Sequence, residues 1–138
     1  MKLNRLKFVY SFAAIALFAL VPASVSFAQG NGPHTSSKFE GPKANTGTVI
    51  HTIEGGKSIL RVSADFKVPD TPAPTWRVVD SKGNIYTLDA FKVAAVVGSK
   101  EKREVVVPSY VHDIAKVQVY CAFAEVLLGE AKFAAPVM

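Results

Sequence analysis

The sequence predicts an all-β protein: a single-domain antiparallel β-sandwich or barrel. Two observations carry this. From Phe39 onward the chain is dense in valine, and turn-forming residues recur about every eight to twelve positions, the spacing of short strands in sandwiches and barrels. No segment after residue 38 sustains the 3.6-residue period of an amphipathic helix.

The elements follow in chain order. "MKLNRLK" carries Lys2, Arg5 and Lys7 and no acid, and the apolar run 8–21 follows, closed by Pro22. Ser26 and Ala28 then occupy the small positions that signal peptidase accepts. The pattern reads as a signal peptide over 1–28, cut after Ala28. The rival reading is a transmembrane anchor, which needs about 20 apolar residues; this run is shorter. The expected location is therefore exported, in the periplasm, outside the cell or in the cell envelope, with no stable membrane span after cleavage. Residues 29–38, "QGNGPHTSSK", are small and polar and read as a flexible leader.

The β domain is expected over 39–134. "GTVIHTI" and "SILRVSADF" are β-rich runs joined by "EGGK", a hairpin signal. In the second run Leu60, Val62, Ala64 and Phe66 share a parity, which makes them the expected core face. "VPDTPAPT" contains Pro69, Pro72 and Pro74; proline donates nothing to a ladder, so this stretch is a loop. "WRVVD" and "NIYTL" flank "SKG" as a second hairpin. "REVVVP" is a strand ending at Pro108, and "SYVHDIA" is a turn or a single helical turn. "KVQVYC" and "EVLLGEAKF" are the last strands, with 135–138 as a tail.

Charge and composition exclude some functions. The formal net charge of +5 includes the three basic residues of the signal, so the remainder is only mildly basic. "KEKRE" at 100–104 is mixed in sign. The clustered basic footprint of a nucleic-acid binder is missing, and no nucleic-acid partner is expected.

Cys121 is the single cysteine. It has no partner for an internal disulfide, which leaves a buried inert thiol, an intermolecular bridge or a reactive site. A c-type haem needs Cys-x-x-Cys-His, which the chain lacks. A blue-copper site needs a cysteine and two histidines. The histidines are His34, His51 and His112, none lies just after Cys121, and Met138 is the last residue. The same scattered residues give no paired zinc spacing. Cys121 with His51 or His112 is a conceivable dyad, but sequence does not show nearness in space. Asp65 with Asp70, and Glu125 with Glu130, carry no acid–base signature. No catalytic residue, metal or cofactor is assigned.

Parity places Val117, Val119 and Cys121 on one face of "KVQVYC", with Lys116, Gln118 and Tyr120 on the other. An inward Cys121 is a small hydrophobe. A reactive Cys121 needs exposure and a lowered pKa, and its place at the strand end beside "AFAE" leaves that open. Trp76 opens the strand after the proline loop and reads as a core or loop anchor, with a contact platform as the rival.

From Phe39 to Phe133 the chain resembles the DM13 domain family. The resemblance runs through "FEGPKANTGTV" with Asn45 and Gly47, "LRVSADFKV" with Asp65 and Phe66, "VVVPSYVHDIAKVQVYC", and "FAEVLLGEAKF". It implies an all-β extracytoplasmic domain with a role in electron transfer or thiol redox chemistry centred on a cysteine, here Cys121 with its aromatic neighbour Tyr120. It also implies a redox partner such as a haem protein. Two positions depart from the family pattern. Tyr120 stands where tryptophan is usual, and "VPDTPAPTW" replaces a Gly-Pro-Asp-like segment. The alternative reading is a non-catalytic binding or structural module of the cell envelope. It would use Pro69, Asp70, Pro72, Pro74 and Trp76 for contact and keep Cys121 buried and inert.

Overall fold

The structure is a computed structural model and describes residues 32–92 and 100–138. The expected signal peptide, and the first three residues of the expected leader, lie outside the described residues. The described chain forms eight strands: β1 (His34–Thr35), β2 (Val49–Glu54), β3 (Lys57–Val62), β4 (Pro74–Val79), β5 (Ile85–Ala90), β6 (Glu104–Val106), β7 (Ile114–Cys121) and β8 (Val126–Val137). They make two four-stranded sheets, ordered β1-β2-β3-β6 and β5-β4-β7-β8. Every strand pairing is antiparallel. The all-β antiparallel expectation holds at this level.

Local chemistry explains the hairpins. Between β2 and β3, Gly55 and Gly56 both have positive φ, 55° and 74°. A two-residue turn of that hand matches the twist of the flanking strands, and it sets the register Glu54↔Lys57. Between β4 and β5, Asp80 organises the turn. Its Oδ1 accepts the N–H groups of Lys82 and Asn84 at 2.9 and 2.8 Å, and its Oδ2 accepts Asn84 Nδ2 at 2.8 Å and the Tyr86 hydroxyl at 3.1 Å.

Side chains from both sheets enter one core cluster. Val49, Leu60 and Val62 come from the first sheet, and Trp76, Val78, Val117, Val119, Leu128, Ala131 and Phe133 from the second. Loop aromatics complete it. Trp76 stacks on Phe91 with centroids 4.3 Å apart, Phe91 on Phe66 at 5.5 Å, and Phe66 packs on Phe39 at 5.0 Å. The buried indole N–H donates to the Lys102 carbonyl at 3.0 Å, which removes the penalty of an unpaired donor.

Three sequence expectations differ in detail. Ala64 is exposed, because β3 ends at Val62 and a turn follows, in which Phe66 N–H donates to the Ser63 carbonyl at 3.0 Å. That turn, and not strand parity, carries Phe66 into the core. The described part of the expected leader is tied down: His34 pairs with His51, and Ser37 N–H donates to the Lys132 carbonyl at 2.7 Å. The expected tail continues β8, where Val137 is buried and opposes Ile114.

Segment 39–44 crosses β8 at close range. Lys43 and Ala44 both donate backbone N–H groups to the Leu128 carbonyl, and a Cβ on Gly129 would stand 2.0 Å from the Ala44 carbonyl oxygen. Among the described residues, no helix is long and apolar enough to cross a membrane.

Candidate functional site

Cys121 ends β7 directly opposite Pro74, the first residue of β4. The chain then turns through 122–125 into β8, with Glu125 at a positive φ of 55°. The Ala122 N–H donates to the Ala73 carbonyl at 3.0 Å, which seals this turn against the proline loop. The fold therefore joins two features that the sequence keeps far apart, the lone thiol and "VPDTPAPT".

The thiol is 1% exposed and belongs to the core cluster with Val117 and Val119. Inward alternation along β7 is borne out. Sγ receives the Ala124 N–H at 3.5 Å. That donor is the main reason the thiol is held below its ordinary pKa. Burial opposes it, and the backbone of Ala73 and Phe123 adds smaller shares. The Thr71 hydroxyl adds the least; it is buried without a well-formed hydrogen bond of its own. Donors that converge on sulfur favour the thiolate, while the surrounding apolar packing denies it water.

The proline loop divides. Pro69 and Pro74 are buried, and Asp70 and Pro72 are exposed. Asp70 pairs with Lys92 at 3.5 Å. Trp76 has 0% exposure, so the contact platform reading is corrected: the indole anchors the core, as its stack on Phe91 requires. Tyr120 faces the other side of its sheet from Cys121, and the Arg77 guanidinium lies 4.0 Å from its ring centroid. Phe123 was not singled out from sequence. It is 77% exposed in the turn beside Cys121, where strand parity gives no guidance.

The histidines lie on other elements than the thiol, His34 on β1 and His51 on β2 against Cys121 on β7. The structure gives Cys121 no hydrogen bond to His51 or His112. His112 is exposed in the loop before β7. His51 is fully buried on β2, where its Nε2 meets Ser58 Oγ at 2.9 Å and its Nδ1 stands 3.4 Å from Nδ1 of His34. Burial, and then the neighbouring His34, hold its pKa below the usual histidine value. Among the described residues, no group of three or more His, Cys, Asp or Glu side chains is placed to hold a metal ion.

Compared with models of known families, with curated proteins and with solved structures, the chain gave no match.

Proposed function

We propose that the chain is a non-catalytic binding or structural module of the cell envelope. In this reading it is a DM13-like β-sandwich exported by residues 1–28, with Cys121 as an inert core thiol. One observation carries it: Cys121 is 1% exposed within the apolar cluster. The sandwich arrangement is supported by the sharing of that cluster between side chains of both sheets. Contact falls to the exposed Asp70, Pro72 and Phe123, on two loops that the Ala122–Ala73 hydrogen bond joins. The test is native-state alkylation. Cys121 should resist a small thiol reagent until denaturant is added.

A second reading is favoured by a specific observation. The donors at Ala124, Ala73 and Phe123 hold the thiol below its ordinary pKa, and a redox thiol acts as its thiolate. Opening of the 122–125 turn would expose it to a partner such as a haem protein. Alkylation in the native state, with a rate that levels off below the ordinary thiol pKa of about 8.5, would choose this reading over the first.

A further inference from the structure

The histidine pair at the edge of the first sheet is separate from the thiol and carries its own chemistry. We propose that His34 and His51 form a two-histidine site for a soft monovalent cation, Cu(I), held between their facing Nδ1 atoms. The gap is 3.4 Å, beyond the range of about 2.7–3.2 Å for a good N–H hydrogen bond. The ring centroids are 5.6 Å apart, so the two nitrogens lie between the rings and approach nearly head-on. With both rings protonated at Nε2, the two Nδ1 lone pairs oppose one another, which is the arrangement a two-coordinate ion uses. Two metal–imidazole bonds of about 2.0 Å each need a span of about 4 Å, so the gap must open slightly. His34 can supply that movement. It is half-buried, on a two-residue strand at the edge of its sheet.

The surroundings favour this class of ion. His51 is wholly buried and packs edge-on against Phe133, with ring centroids 6.4 Å apart, so its ring is held in place. Its Nε2 meets Ser58 Oγ at 2.9 Å. When that nitrogen carries the proton, Nδ1 presents its lone pair, the arrangement that ligating histidines take from an outer partner. Among the described residues, no carboxylate completes a group of three with the pair. A divalent ion would therefore be buried with too few donors and no compensating charge, whereas a monovalent ion meets two neutral imidazoles. Imidazole is a good copper ligand. A cleft lined by Pro33, His34, Thr35, Phe133 and the end of β8 gives entry from the His34 side.

The test titrates the full chain with Cu(I) under anaerobic reducing conditions, and with Ag(I) as an air-stable probe of the same class. The expected result is one ion per chain, with the ¹⁵N resonances of both Nδ1 atoms shifted on binding. His51 is a core residue and its replacement endangers the fold, so His34→Ala carries the test, with an unchanged circular dichroism spectrum as its control. His34→Ala should weaken binding at least tenfold. Ser58→Ala should weaken it by about 10–100-fold, the usual cost of removing an outer partner. Cys121→Ser should leave it unchanged. The proposal is overturned by unchanged affinity in His34→Ala, by loss of binding in Cys121→Ser, by binding without an Nδ1 shift, or by tighter binding of Zn²⁺ at the pair.

Discussion

Cys121 and Trp76 mark how far single residues can be read. The inward direction of Cys121 is legible because parity along "KVQVYC" is unbroken, and the structure buries Val117, Val119 and Cys121 together. Its donors are not legible. Ala124 is a sequence neighbour, but Thr71 and Ala73 reach the sulfur only through the pairing of β4 with β7. Trp76 is filled around by Phe91 and its N–H is satisfied, so Trp76→Ala opens a cavity and orphans the Lys102 carbonyl. The expected cost is about 3–5 kcal/mol, read from chemical denaturation. Cys121→Ser puts a hydroxyl among apolar side chains, and a cost of about 1–3 kcal/mol is expected if that group finds no partner. Asp80 gives the pH dependence. Its carboxylate is held below the ordinary carboxyl range, first by the Asn84 side chain and then by the surrounding N–H and hydroxyl donors, against desolvation. A depressed folded pKa stabilises the native state above the unfolded value, and that stability is lost as the pH falls toward the folded value. The Asp80→Ala variant should therefore be less stable at neutral pH. Its stability should also fall less steeply than that of the parent protein below about pH 4, the ordinary range of an aspartate.

At the scale of elements, hairpins were the most legible part. "EGGK" marks a tight turn because glycine alone takes positive φ twice without strain, and the structure turns there. The ends of the domain were illegible for the opposite reason. β1 has two residues, too few to show alternation, and its pairing with β2 is decided by tertiary contact. The last residues of β8, "AAPV", hold a proline and two alanines, a composition without strand signal, yet Val137 reaches the core. The crossing of 39–44 over β8 was equally hidden, since nothing local in "LLGEA" announces a neighbour. It makes a sharp prediction. Gly129→Ala would put its methyl 2.0 Å from the Ala44 carbonyl oxygen, and backbone cannot yield as a flexible side chain does. Segment 39–44 should lift from β8, at a cost of about 1–3 kcal/mol or more. Faster hydrogen exchange at the Lys43 and Ala44 amides would report it, and unchanged protection there would show that the crossing tolerates a methyl group.

The whole molecule should unfold as one unit, because residues of both sheets belong to one core cluster. Val49, Leu60 and Val62 of the first sheet lie in the same cluster as Trp76, Val117 and Phe133 of the second. The aromatic column from Phe39 through Phe66 and Phe91 to Trp76 is built largely from loops between strands. Removing either sheet would expose the cluster residues of the other, and exposed apolar area costs about 25 cal/mol per Å². Neither sheet therefore has a stable state of its own, and two-state behaviour is expected, as for most single domains of this size. Three probes sample different places. Trp76 fluorescence reports the second sheet. Far-UV circular dichroism averages over all strands. The ¹H–¹⁵N signals of β2 and β3 report the first sheet. In a urea titration the three should give one midpoint and one slope. If the thiol is a core residue, alkylation of Cys121 should rise along the same curve. An early loss of the β2 and β3 signals, with Trp76 still native, would show instead that the first sheet is only docked on the second. Labelling of Cys121 well before any of these probes change would place its exposure in a local opening of the 122–125 turn.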